Sequence, residues 1–198
     1  MKIYDISQEV FGCKVYPGDP MPKRERVCSI EKGELYNLTA FSMCAHNGTH
    51  IDAPYHFIKD GKTVNELPLE KTVGMAYVVN HCGMFGEDDA KEVLKTAEKI
   101  SKESAKRILI KGAATVTAEA ARVFGDAGIY LLGNESQTVG PENSPMEVHK
   151  ILLEKEIVLL EGVILNSVKQ GIYLLSAQPI NLSGSDGAPC RAILIELD

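Results

Sequence analysis

The sequence predicts an α/β domain built on a mixed sheet. Short β-like runs dominate the first eighty residues, and beyond them helical stripes alternate with short apolar runs. A β-rich start followed by alternation suits a sheet that is partly antiparallel and partly parallel. Size agrees: 198 residues, 44% hydrophobic and 24% charged, fit one domain over residues 1–198, whose folding buries roughly 70% of the unfolded chain's surface.

Taken in order, Lys2–Ser7 and Lys14–Tyr16 read as β-like runs leading into the turn Pro17-Gly18-Asp19-Pro20. Leu35–Met43 reads as a strand and Gly74–Asn80 as a buried strand. The period then changes. Ala90, Val93, Leu94, Ala97 and Ile100 trace one face of a helix over Asp88–Ser104, with Asp88 or Asp89 as its cap. Ile108–Lys111 is a short strand. Thr117 caps a helix over Ala118–Phe124, which ends between Gly125 and Gly128. Strand Ile129–Leu132, helix Met146–Lys155 and strand Ile157–Leu160 follow. Ser183–Gly187 is a turn, and strands Ile172–Ala177 and Arg191–Leu197 close the chain.

Charge narrows the partners. The net charge is −6, and the densest basic run, Lys23-Arg24-Glu25-Arg26, is broken by an acid. Nucleic-acid binding needs clustered cations and is not expected. Nor is a membrane partner, because no apolar run approaches the ~20 residues of a span and the N-terminus lacks the apolar core of an export signal. Five cysteines, an odd number without a CxxC pair, read as reduced thiols in the cytoplasm.

Three of the five histidines fall in Cys44-Ala-His46-Asn-Gly48-Thr-His50-Ile-Asp52-Ala-Pro54-Tyr-His56. His50 and Asp52 share a face of any extended segment. Fully extended, His46 and His50 would stand ~13 Å apart, too far for one ion that needs both nitrogens within ~2.1 Å. The chain must bend between them, and Gly48 allows it. Because Gly48, Thr49, Ile51 and Pro54 oppose a helix, the bend is expected as an irregular loop or single turn. Two imidazoles and one carboxylate form a three-ligand set with an open position, the form of a catalytic metal site. His56 lies beyond Pro54, either as general base beside the bound water or as a further ligand. The zinc-protease HExxH, the GxSxG elbow and GxGxxG are absent.

At this cluster the sequence resembles the cyclase-like metal-dependent hydrolases, a family that includes bacterial kynurenine formamidases (arylformamidases) and isatin hydrolases. His46 to His56 matches every fixed position of the motif HxGTHxDxPxH. Val15-Tyr-Pro-Gly-Asp-Pro20 resembles the family's early PGD turn, Thr117-Ala-Glu-Ala-Ala its helix start, His149…Glu161 its H…IE segment, and Gly187-Ala-Pro-Cys-Arg191-Ala its terminal GxPxRA.

The resemblance implies a swivelling β/β/α domain, a homodimer or higher homo-oligomer, and one or two divalent ions per chain, zinc first and manganese second. His46, His50 and Asp52 would hold one ion. Asp52 would bridge to a second on His149 and Glu161, and His56 would be the base. On the residues alone, His149 on a helix and Glu161 after a strand read as surface or capping groups. The implied reaction is hydrolysis of a small amide by metal-activated water, N-formyl-kynurenine giving kynurenine and formate. Another amide, lactam or lactone substrate is the alternative within the family, and a metal-retaining ligand sensor the alternative outside catalysis. Three departures from the family pattern stand out: Asn134-Glu135-Ser136 after Gly133, Gly162 where Asn is usual, and a short Ile110–Val116 segment that predicts a differently shaped substrate pocket.

Overall fold

A computed structural model describes residues 1–197. Its elements run β1 (Lys2–Asp5), β2 (Lys23–Cys28), β3 (Leu38–Ser42), β4 (His50–Asp52), β5 (Val73–Asn80), β6 (Gly83–Phe85), α1 (Glu87–Ile100), β7 (Arg107–Lys111), β8 (Ala114–Val116), α2 (Ala118–Ala127), β9 (Leu131–Asn134), α3 (Met146–Glu154), β10 (Val158–Glu161), β11 (Gly171–Ser176), β12 (Gly187–Pro189) and β13 (Ile193–Glu196). Nine strands form one mixed sheet in the order β1-β13-β11-β5-β7-β9-β10-β4-β12. Its centre, β5-β7-β9-β10, is parallel, and each successive pair is bridged by α1, α2 or α3. Parallel neighbours need such crossovers, and antiparallel ones do not. The flanking strands are antiparallel.

Both faces of the centre are buried, so its strands read as continuous apolar runs. Within Ile108-Leu109-Ile110, the isoleucines pack with Val93, Phe124 and Leu152 of the helices, whereas Leu109 joins Ile51, Val158 and Leu160 on the opposite face. Thr117 Oγ1 accepts from the Ala120 N–H at 3.2 Å, and Gly128, at φ 60°, ends α2. The cap of α1 is Gly86. Asp89 acts from inside the first turn, where its carboxylate accepts the Gly86 N–H at 2.8 Å.

Other differences have clear causes. Lys14–Tyr16 forms no strand. The charged run Lys23–Cys28 does, pairing with Leu38–Ser42 as a ribbon exposed on both faces. A ribbon without a buried face needs no apolar alternation, so the sequence gives no period to read. The short parallel pair β6–β8 brings Phe85 opposite Val116, beside the main sheet.

The departures at Asn134-Glu135-Ser136 are structural braces. Glu135 accepts from the Gly112 and Leu165 N–H groups, each at 2.7 Å, and the Ser136 carbonyl accepts from the Gly162 N–H at 2.7 Å. Gly162 has φ +68°, and a Cβ there would lie 2.4 Å from the Gly48 carbonyl oxygen. Asn also visits left-handed backbone, but here the side chains of Gln8 and Gln137 occupy the space a Cβ needs. Gly162→Ala is therefore expected to destabilise by about 2–4 kcal/mol, left-handed strain and overpacking combined. Urea denaturation measures it; a loss below about 0.5 kcal/mol would mean that the loop yields.

Candidate metal centre

Strand register builds the site. On the antiparallel pair β4–β10, Asp52 stands opposite Leu159, Ile51 opposite Leu160 and His50 opposite Glu161. Opposed residues share a face and neighbours alternate. Ile51 and Leu160 therefore enter the core away from the helices, and His50, Asp52 and Glu161 turn toward the helix face. There α3 delivers His149, which is buried with Val148, Leu152 and Leu153. A 100° step from Val148 predicts His149 at the border of the apolar stripe; the structure buries it fully, because α3 meets the sheet at its polar end.

His46 comes from the turn before β4. The Cys44 N–H donates to Asn47 Oδ1 at 2.8 Å, the Asn47 N–H donates back to the Cys44 carbonyl, and Gly48, at φ +70°, redirects the chain. The expected turn is present, but it ends at Thr49, and His50–Asp52 is a regular strand paired on both sides. Thr49 Oγ1 locks this corner, donating to the Gly162 carbonyl at 2.7 Å and accepting the Gln8 N–H at 2.9 Å. Gly187 leaves room for the His46 ring, since a Cβ there would lie 2.6 Å from His46 Cε1. His56 closes a short turn through its N–H to the Ala53 carbonyl at 2.9 Å, and the Lys62 carbonyl holds Tyr55 from across the loop.

The site's donors form three overlapping sets: His46, His56 and Asp186 at the outer side, and two buried deeper that share Asp52. His46 Nδ1 lies 2.9 Å and His50 Nε2 3.3 Å from Asp52 Oδ1. His149 Nε2 lies 3.6 Å from Asp52 Oδ2 and 3.2 Å from Glu161 Oε1. Donors within each set lie no more than 4.8 Å apart. Asp52 is 1% exposed, and its Oδ2 has no hydrogen-bond partner. Each of the three histidines has its other nitrogen on an acceptor: His46 Nε2 on Asp186 Oδ2 at 2.8 Å, His50 Nδ1 on the Gly48 carbonyl at 3.1 Å, and His149 Nδ1 on the Pro145 carbonyl at 2.9 Å. Outward N–H groups so anchored leave the inward nitrogens facing carboxylates. Metal-ligating imidazoles are held in this way, and the orphaned Asp52 oxygen completes the fit to a divalent cation. His46, His50 and Asp52 could hold one ion, and Asp52, His149 and Glu161 a second.

Electrostatics agree. Burial disfavours the charged form of His46, but Asp52 and Asp186 outweigh it and push the imidazole up to about 11. Burial likewise opposes charge on His50 and His149; Asp52 and Glu161 push His50 up to about 9 and also raise His149. Asp52 is held well below the usual carboxylate range: its burial is outweighed by His46 and His50. Protons thus sit where a cation would, so cation uptake expels them and tightens as pH rises.

A cavity of about 230 Å³ opens onto this cluster. Tyr16, Asp19, Phe57, Gln137 and Thr138 line it together with His56. No residue from 110 to 116 does, so the short segment there does not shape this cavity. The five residues singled out as ligands converge, and His56 stands beside them, 4.1 Å from His46 between ring centroids. The sequence reading misses Asp186, which accepts from both His46 and His56. An Asp among Gly and Ser has the composition of a turn, and no local spacing ties it to residues some 140 positions away.

Comparison with known proteins decides the family. A sequence model of the Cyclase family matches residues 4–160. The chain belongs to the cyclase family. Curated relatives named kynurenine formamidase include those of Erythrobacter litoralis, 32% identical over 99% of this chain and 94% of that one, and of Bacillus anthracis, 33% identical over 98% and 97%. Among solved structures, a predicted metal-dependent hydrolase from Bacillus stearothermophilus aligns with a TM-score of 0.80 at 27% identity, over 98% of this chain and 97% of that one. The expected α/β fold of the cyclase family is thus observed, and this member is an enzyme of the metal-dependent hydrolase type.

Asp52→Asn replaces an anionic oxygen by a neutral amide between the two sets. Its divalent-metal affinity, read by competition with a chromophoric chelator, should fall at least tenfold, equivalent to about 1.4 kcal/mol. Unchanged affinity would remove Asp52 from the ligands.

Proposed function

We propose that this cyclase-family enzyme is an arylformamidase that hydrolyses N-formyl-kynurenine to kynurenine and formate. The observation that carries this is the Asp52 carboxylate held between two histidine-containing sets, whose His46, His50, His149 and Glu161 line one cavity together with His56. The choice of substrate draws on full-length likeness to proteins named kynurenine formamidase.

In this reading His46, His50 and Asp52 hold one divalent ion, and Asp52, His149 and Glu161 are placed for a second. Zinc is the first choice, because imidazole-rich sets suit it, with manganese as the carboxylate-tolerant alternative. A bound divalent ion supplies Lewis acidity to the carbonyl and lowers the pKa of water. His56 takes the proton from the attacking water as the O–C bond forms at the formyl carbon. It then gives that proton to the aniline nitrogen as the C–N bond breaks. Tyr16 and Phe57 supply aromatic wall for an aryl ring. The Gln137 amide and Thr138 hydroxyl, buried and without protein partners, can pair with the polar groups of an amide substrate.

The five unpaired cysteines favour a reducing compartment, and we assign the enzyme to the cytoplasm. Among the described residues, no helix is long and apolar enough to cross a membrane. We further assign it as a homodimer. The β2–β3 ribbon leaves Val27, Leu38 and Phe41 exposed, and Leu35 in its connection is 94% exposed. A two-stranded ribbon is marginal alone, and a second copy would bury this apolar surface.

The wild-type enzyme should release kynurenine and formate from N-formyl-kynurenine and stop when a chelator is added. His56→Ala should keep its metal yet lose ~10²–10⁴-fold in kcat. Failure of the loaded wild type to turn over this substrate, while opening isatin or a lactone, would reassign the substrate. Sedimentation should give a dimer for the wild type and a monomer for the Leu35→Glu/Phe41→Lys double variant; a monomeric wild type at micromolar concentration would rule out the dimer.

A further inference from the structure

One carboxylate oxygen serves two histidines. Asp186 Oδ2 lies 2.8 Å from His46 Nε2 and 3.0 Å from His56 Nδ1. Those rings stack at 4.1 Å between centroids with a 32° tilt. Asp186 precedes β12, whose Gly187 stands opposite Asp52 in the sheet. The Ala53 N–H donates to the Asp186 carbonyl at 2.9 Å, so the backbone of Asp186 is tied to the segment that carries Asp52 and His56.

We infer that Asp186 is a positioning residue that sets the tautomers of His46 and His56 together, joining the metal centre to the general base. An ionised carboxylate only accepts hydrogen bonds, so both nitrogens that face it carry protons. On His46 the proton is on Nε2, which leaves Nδ1 toward Asp52 as the nitrogen with a free lone pair when a cation replaces its proton. On His56 the proton is on Nδ1, which leaves Nε2 bare to accept a proton from water. The buried carboxylate of a Ser-His-Asp triad does the same for its histidine, and carboxylates behind metal-bound imidazoles fix their ring orientation. Here one oxygen performs both tasks. Asp186 does not line the cavity, and its side chain is 41% exposed, so its loss removes a hydrogen-bond acceptor without opening a core.

The inference rests on the proposed roles of His46 and His56, and its test separates the two. Long-range ¹H–¹⁵N correlation spectra of the zinc-loaded protein report each imidazole's tautomer without any substrate. The wild type should show His56 protonated at Nδ1 and His46 at Nε2. In Asp186→Ala, His56 should shift to a mixture rich in the Nε2–H form that free imidazole prefers. Competition with a chromophoric chelator should show zinc affinity about tenfold weaker. With N-formyl-kynurenine, kcat should fall about 100-fold while KM changes less than threefold, and Asp186→Glu should restore part of kcat.

An unchanged His56 tautomer in Asp186→Ala, or zinc affinity and kcat both within twofold of wild type, would overturn the inference. A wild type inactive on N-formyl-kynurenine, with tautomers and affinity shifting as described, would instead overturn the substrate assignment and leave the role of Asp186 standing. Loss of all zinc from Asp186→Ala would make Asp186 a ligand rather than a positioning residue and would overturn it too.

Discussion

The structure depends on one buried carboxylate, Asp52, whose charge is met either by protons on the histidines around it or by a cation. Asp52 sits on a three-residue strand between two antiparallel neighbours, at 1% exposure. An uncompensated charge there would be costly. One oxygen faces His46 and His50, the other faces His149, and Glu161 adds a second carboxylate to the same space. Two carboxylates and three imidazoles with anchored outward N–H groups form a site that is satisfied either by extra protons or by divalent cations.

Other features follow from that demand. The register of β4 on β10 decides that Asp52 and Glu161 share a face; a one-residue slip of β4 would turn Asp52 into the apolar core and part it from Glu161, which β9 holds in place. The register is held from outside by Thr49, which ties the strand's start to the Gly162 carbonyl, and by the left-handed Gly162 itself. The cluster lies at the carboxyl end of β10, where open α/β sheets place their ligand sites. The site therefore stands on strands and a helix, with only His46, His56 and Asp186 on turns.

Much of this was legible in the sequence because it was local. His46 to His56 carries three histidines and an aspartate in eleven residues, and the bend at Gly48 could be deduced from reach alone. The central strands stand out as short apolar runs, α1 by its helical period and α2 by its Thr117 cap and closing glycines. What escaped was what depends on distant pairing. Three-residue β4 has no period of its own and becomes a strand only because β10 and β12 pair with it. The β2–β3 ribbon buries no face and so leaves no alternation. The burial of His149 is set by where α3 meets the sheet, which a helical wheel does not contain. Asp186 has turn composition and comes to His46 and His56 only through the pairing of β12 with β4.

The sharing of Asp52 between two donor sets is tested most directly by anomalous diffraction from crystals of the untagged protein grown with zinc, at wavelengths on either side of the zinc edge. The account predicts one peak within ~2.1 Å of donors on His46, His50 and Asp52, with any second peak on Asp52, His149 and Glu161 about 3.5–4 Å away. Zinc bound elsewhere, with no density beside Asp52 in protein shown to carry metal, would contradict it.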